Sequence, residues 1–74
     1  MTTTHNAWKF KVVKKQRGLQ GEWFAYPAAM TTTTEIEARA YADAFALSQR
    51  TAGVLGTRIV VLTRGGRFVS EHRV

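Results

Sequence analysis

The side chains of this chain that could do chemistry are mainly cationic. Eleven lysines and arginines stand against five acidic residues, which gives a formal net charge of +6. Nine of these cations fall in two blocks, at the two ends of the sequence: Lys9, Lys11, Lys14, Lys15, Arg17, Arg58, Arg64, Arg67 and Arg73. Most of the acids lie in the middle. If the two ends meet in space, the positive charge is concentrated on one surface, which is typical of proteins that bind polyanions.

Nucleic acid is the polyanion that this spacing favours. Cations along a strand can contact successive phosphates, and each neutralised phosphate releases condensed counterions. Arg64 and Arg67, on either side of a turn, could grip one phosphate or reach a guanine edge. We expect a nucleic-acid-binding protein that prefers double-stranded DNA to RNA, with low sequence specificity. A solvated surface that only keeps the protein soluble is the alternative interpretation.

Catalytic and metal-binding patterns are missing from the sequence. There is no cysteine, and neither His5 nor His72 has a carboxylate cluster at ligand spacing. Ser48 and Ser70 have no neighbouring His-Asp arrangement, and no glycine-rich phosphate loop is present. We therefore expect no enzyme activity, no metal, no cofactor and no small-molecule substrate.

Aromatic residues near the first basic block allow two interpretations. Trp8, Trp23, Phe24 and Tyr26 could stack on bases, as in proteins that bind single strands. Aromatic residues in a small sheet more often belong to the core, and we favour that interpretation. Trp23 and Phe24 are adjacent in a strand, so at most one of them can point to a partner surface.

A β-hairpin is predicted in the first third of the chain. Residues 8–12 alternate large apolar and cationic residues, which puts Lys9 and Lys11 on one side of a strand. The glycines after it predict a loop, and residues 22–28 form the return strand. Pro27 cannot donate a hydrogen bond to a ladder, so this strand ends there or lies at an edge.

A helix is predicted to begin near Glu35. Thr34 and Glu37 have the spacing of a capping box, in which the threonine hydroxyl accepts from the Glu37 amide while the carboxylate reaches the Thr34 amide. Gly53 is a plausible terminator, and Arg50 lies near the last turn, where a cation is favoured.

The apolar surface of this helix is unusually wide. At about 100° per residue, one strip gathers four apolar residues: Ile36, Ala40, Ala44 and Leu47. A further strip is made of alanines only: Ala38, Ala42 and Ala46. A helix that contacts two surfaces would explain both strips.

Two more strands are predicted after the helix, at residues 58–64 and 67–73. Gly65 and Gly66 between them suggest a tight two-residue turn with positive φ at both positions. This turn fixes the register: Thr63 opposite Phe68, Leu62 opposite Val69, Val61 opposite Ser70 and Ile59 opposite His72. Both faces of these strands are apolar in the middle, so we expect both to be covered.

These elements predict an α+β fold, with a four-stranded antiparallel sheet in ββαββ order and one helix packed on one face. We expect one domain over residues 1–74, with residues 1–6 as a flexible tail. The two-sided strands favour a homodimer or a higher homo-oligomer. The polar N-terminal residues predict neither a signal peptide nor a membrane span, so we expect a cytoplasmic protein, and no membrane as partner.

The helix with its Thr-rich cap and residues 36–40, followed by residues 58–62 and a Gly-Gly turn, resembles short bacterial and phage ββαββ proteins of unknown function. The first half is also similar to the arm-type DNA-binding domains of phage integrases. This resemblance implies a phage-encoded protein in the host cytoplasm or nucleoid, with a role in nucleic-acid handling or host modulation. The alternative function is a small interaction module that docks on an acidic host protein.

Overall fold

The computed structural model describes residues 8–74, so the expected tail at residues 1–6 and His5 lie outside the described residues. The elements are β1 (Phe10–Arg17), β2 (Trp23–Ala25), β3 (Met30–Thr32), α1 (Glu35–Thr51), β4 (Thr57–Thr63) and β5 (Phe68–Arg73). One helix and an antiparallel sheet confirm the α+β class. The sheet has five strands instead of the predicted four, because Met30–Thr32 forms a short strand that the sequence did not suggest.

The long strand β1 organises the sheet. It pairs with β4 on one side, and β5 pairs with the other side of β4, in the order β2-β1-β4-β5. Two short strands share the remaining side of β1: β2 pairs with Lys15–Arg17 and β3 with Phe10–Val12. The chain leaves the ladder between them around Pro27, which has no N–H to donate. The expectation that this proline ends a strand or lies at an edge is confirmed.

The β4–β5 hairpin has a three-residue loop, so the predicted two-residue turn is wrong. The Thr63 amide donates to the Arg67 carbonyl at 2.8 Å, and the Gly66 amide donates to the Thr63 carbonyl at 2.8 Å. Among the two turn glycines only Gly66 has positive φ, at 93°. This is the arrangement of a three-residue hairpin loop with a left-handed residue at its end.

The loop is followed by a register shift that the sequence did not predict. Val61 pairs with Ser70, as expected, but Leu62 pairs with Phe68, so Val69 is an extra residue on β5. Such a bulge re-aims the side chains on one side of it. Val69 therefore packs against the core, while Phe68 stays 59% exposed.

Thr34 is confirmed as the N-cap of α1, but one of the two hydrogen bonds of the predicted capping box differs. The Thr34 hydroxyl accepts from the Glu37 amide at 3.2 Å. The Glu37 carboxylate accepts from that same hydroxyl at 3.0 Å, instead of from the Thr34 amide as expected. Gly53, with φ of 80°, follows the helix and donates to the Arg50 carbonyl, which satisfies one terminal acceptor. This helix, the one that residues 8–74 contain, is too short and too polar to cross a membrane.

The core lies between α1 and one face of the sheet. It contains Val12, Ile59 and Val61 from the strands, and three alanines from the helix: Ala38, Ala42 and Ala46. Small side chains let the helix approach the sheet closely, so the alanine strip makes the sheet contact. The other strip faces away, with Ile36 81% and Leu47 58% exposed.

Candidate nucleic-acid interface

The face of the sheet opposite α1, here called the open face, has no helix or strand of residues 8–74 packed over it. Side chains alternate between the two faces of a strand, so the core positions Val12 and Ile59 identify which residues point the other way. The cations whose strand positions place them on the open face are Lys11, Lys15, Arg17, Arg58 and Arg73. Three of the four neighbouring strands contribute to this set.

Three of these cations form a row across the sheet. Lys15 pairs with Arg58 between β1 and β4, and Arg58 pairs with Arg73 between β4 and β5. Adjacent strands lie about 4.8 Å apart, so this basic row spans about 10 Å. Residues that are far apart in the chain thereby become direct neighbours. The hydrogen-bond ladder fixes their backbones, so the cations are aligned before any ligand arrives.

Two valines on the open face are nearly buried, although no helix or strand of residues 8–74 covers this face. Val13 is 5% exposed and Val60 is 2% exposed. Their neighbours on this face include Lys11, Lys15 and Arg58. The alkyl stems of long cationic side chains cover apolar surface while their charged heads stay in water. The cations therefore serve both the stability of this face and its charge.

Trp23 holds two of the arginines at the edge of the open face. It pairs with Arg17 across β1 and β2. The guanidinium carbon of Arg58 lies 4.6 Å from its ring centroid, and that of Arg17 lies 5.4 Å away. Both are cation–π contacts, which favour an aromatic ring with a cation over its face. The core interpretation that we favoured for Trp23, Phe24 and Tyr26 is wrong, because all three are exposed and none belongs to the core. Trp23 positions arginines instead, a role that the sequence did not suggest.

Glu71 partly neutralises the positive charge of the basic row. Its carboxylate lies 3.1 Å from Arg73 and 3.6 Å from Arg58. Each guanidinium has five N–H donors, so both arginines keep donors for another acceptor. Within residues 8–74, Glu71 is the one acid that forms an ion pair with a cation of the open face. The acids of the helix engage other partners, as in the Arg39–Glu35 pair at 2.7 Å.

The remaining predicted site residues lie off the open face or at its border. At the hairpin end of the sheet, the Arg64 amide donates to the Lys9 carbonyl at 2.8 Å, and the Arg64 guanidinium lies 4.8 Å from the Trp8 ring centroid. Arg67 follows the same loop. Lys14 points to the helix side, where its ammonium lies 5.3 Å from the Tyr26 ring. The structure thus gathers five of the nine predicted cations on the open face and leaves Lys9, Lys14, Arg64 and Arg67 outside this set.

Comparison with protein-family models, with curated proteins and with solved structures finds no match to this chain. Between Trp8 and Val74, no three histidine or acidic side chains gather in a way that could hold a metal ion.

A cavity of about 390 Å³ adjoins the open face at the end where β4 begins and β5 ends. Arg17, Arg58 and Arg73 line it together with Trp23. Each of these residues stands at or near a strand terminus, so the cavity, here called the strand-end cavity, collects three guanidinium groups from three strands. Nothing in the sequence indicates this, because the three arginines are separated by 41 and 15 positions.

Proposed function

We propose that this protein binds nucleic acid through the open face of its sheet, with double-stranded DNA as the preferred form and with low sequence specificity. The observation that carries the proposal is the basic row, in which Lys15, Arg58 and Arg73 stand side by side on three strands. Like charges directly opposite each other on neighbouring strands destabilise a sheet. Their repulsion is relieved when phosphates lie over them, which is the physical reason to expect a polyanion there.

The chemistry of the face favours phosphate contacts over base reading. Lysine contacts phosphate as a point charge, and arginine can contact it with two parallel N–H donors. Contacts to the backbone position a protein on the duplex but carry no sequence information. Between the cations the face is apolar, with Val13 and Val60 nearly buried, so the polar groups that the described strands present to a ligand there are mainly the charged heads of the cations. Low specificity follows.

Fluorescence anisotropy with labelled oligonucleotides tests the proposal. Duplex DNA, single-stranded DNA and RNA of equal length are titrated at low salt, with the wild-type protein and with two variants. Lys11→Gln with Lys15→Gln removes two cations of the open face, whereas Lys14→Gln with Arg50→Gln removes two cations on the helix side of the sheet. We expect tight binding of duplex DNA by the wild type and the helix-side variant, and weak binding by the open-face variant.

The same titration separates the alternative partner. An acidic protein would meet the basic row with carboxylates instead of phosphates. Absence of binding to all three oligonucleotides at low salt would refute the proposal. If a stoichiometric complex with an acidic protein then survives nuclease treatment, the open face is a protein-docking surface.

A further inference from the structure

The strand-end cavity is lined by arginines from three different strands. Three guanidinium groups line it, those of Arg17, Arg58 and Arg73, and Glu71 is the acid that pairs with two of them. An internal phosphodiester of a nucleic acid presents two unesterified oxygens, whereas a phosphomonoester presents three and carries a charge of about −1.5 to −2 at pH 7. Three arginines at one cavity can supply a guanidinium group to each of these three oxygens. The arginine set of the cavity therefore matches a phosphomonoester.

The size and walls of the cavity agree with a ligand larger than a free anion. Its volume of about 390 Å³ lies in the range of about 300 to 1,000 Å³ found for small-molecule sites. Trp23 and Leu55 give it apolar surface next to the arginines. Leu55 is 71% exposed in the free protein, and a sugar or base against it would cover that surface.

The arginines are held in place before a ligand binds. Arg58 and Arg17 lie over the Trp23 ring, at 4.6 and 5.4 Å, and the Arg17 Nε donates to the Gly21 carbonyl at 3.4 Å. Arg73 is fixed by Glu71 at 3.1 Å. Side chains that are already ordered lose less conformational entropy on binding, which raises affinity. Because guanidinium groups occupy the Trp23 ring, this tryptophan acts by positioning them and not as a platform for a base.

We propose that the strand-end cavity binds a phosphomonoester. Two sources share this chemistry: the terminal phosphate of a nucleic-acid strand that lies on the open face, and a free nucleotide. The first source rests on the proposed nucleic-acid binding, and the second does not. In the first case the cavity gives a preference for strand ends that carry a phosphate.

Matched ligands test this proposal and distinguish the sources. Isothermal titration compares oligonucleotides with and without a terminal phosphate, and adenosine monophosphate with adenosine. Charge-assisted hydrogen bonds from two or three guanidinium groups predict about tenfold or tighter binding of the phosphorylated member of each pair. Arg73→Gln is expected to abolish that ratio. Lys11→Gln, which removes a cation of the open face away from the cavity, is expected to weaken all oligonucleotides and leave the ratio unchanged.

The outcomes separate the phosphomonoester site from the proposed nucleic-acid binding. Equal affinities within both pairs overturn the phosphomonoester site, while salt-dependent oligonucleotide binding can persist without it. Binding of the nucleotide monophosphate with no oligonucleotide binding supports the cavity and contradicts the proposed function. Loss of the ratio in both variants alike shows that net charge, and not the cavity, discriminates the ligands.

A different observation points to a partner for the helix. The apolar strip that faces away from the sheet, here called the outer strip, consists of Ile36, Ala40, Ala44 and Leu47. It runs along most of α1, on the side opposite the buried alanines. Exposed apolar residues at this helical spacing are typical of a helix–helix contact.

The charged residues beside the outer strip would attract each other if two copies of the helix packed together. In an antiparallel pair of identical helices about a two-fold axis, the same flank of both helices meets. An axis midway between Tyr41 and Ala42 places Ile36 opposite Leu47 of the second copy. Arg39 then lies opposite Ala44 of the second copy, next to its Asp43. The two-fold axis gives a second, identical pair of Asp43 and Arg39. Asp43 is free to accept, since its side chain is 73% exposed and only one carboxylate oxygen contacts His72.

We infer that the outer strip is the interface of a homodimer with antiparallel helices. Sedimentation equilibrium of the wild type is expected to show a dimer, and Leu47→Glu is expected to weaken it at least tenfold. Leu19→Glu is the matched control, because Leu19 is fully exposed in the β1–β2 loop and the change in charge is the same. Arg39→Asp is expected to weaken the dimer, and Asp43→Arg added to it is expected to restore the dimer.

A wild type that stays monomeric at high concentration overturns this interface. So does a Leu47→Glu variant that remains as dimeric as the Leu19→Glu control. Circular dichroism of each variant checks that the helix is intact, so that loss of the dimer is not loss of the fold.

Discussion

Removing the basic row changes how strongly salt weakens nucleic-acid binding, by an amount that follows from the geometry. The variant replaces Lys15, Arg58 and Arg73 with glutamine. For duplex DNA, the logarithm of the affinity falls with the logarithm of salt with a slope of about −0.9 per neutralised phosphate. If each of the five open-face cations contacts one phosphate, the wild-type slope is about −4.5, and the triple variant keeps a slope of about −1.8.

These slopes predict very different responses to the same change in buffer. Raising salt from about 50 to 200 mM weakens wild-type binding about 500-fold and variant binding about 12-fold. At low salt the variant already binds more weakly, and Glu71, which then has lost both arginines, adds repulsion. Fluorescence anisotropy across a salt series with one duplex measures both quantities.

A control variant separates the surface from the net charge. Lys14→Gln with Arg50→Glu also lowers the net charge of +6 by three, but these two residues lie on the helix side and outside the proposed dimer contact. The control is expected to keep the wild-type slope. Exposed ion pairs contribute about 0 to 1 kcal/mol, so both variants should stay folded, as thermal unfolding will show. Equal slopes for the basic-row variant and the control variant would refute the reasoning.

Three further predictions concern stability, measured by chemical denaturation. Thr34→Ala removes the helix cap and is expected to lower the free energy of unfolding by about 0.5 to 2 kcal/mol, whereas Thr34→Ser should restore most of it. Ile59→Ala, at a fully buried position, is expected to cost about 2 to 5 kcal/mol and Ile59→Val about 0.5 to 1.5; a smaller alanine cost would place Ile59 outside the core. Gly66→Ala, at φ of 93°, is expected to cost about 1 to 2 kcal/mol, whereas Gly65→Ala next to it should be close to neutral; equal effects would contradict the loop conformation.

Local signals made the helix and the main strands predictable. The Thr34 and Glu37 spacing located the start of α1, and the apolar run at residues 59–62 before the Gly-Gly turn located β4. Hydrophobicity alone did not predict which of the two helix strips packs against the sheet. Ile36 and Leu47 are more apolar than alanine, yet the alanine strip lies inside, because close approach to the sheet favours small side chains.

The details that depend on pairing were harder to predict. The bulge at Val69 follows from a three-residue loop, and the sequence Gly65-Gly66 fits a two-residue turn equally well. Strand β3 exists because β1 is long enough to pair with two short segments on one side. The basic block residues were found from composition, but the basic row depends on the β1–β4 register, which no local pattern fixes.

The most direct test of the central claim, that the open face is the surface that contacts nucleic acid, is an NMR titration of the labelled protein with duplex DNA. The largest shifts are expected at the amides and side chains of Lys15, Arg58 and Arg73, with the indole of Trp23. The exposed helix positions Ala40 and Ala44 are expected to stay unchanged. Shifts that concentrate on α1 and leave the basic row unperturbed would contradict the claim.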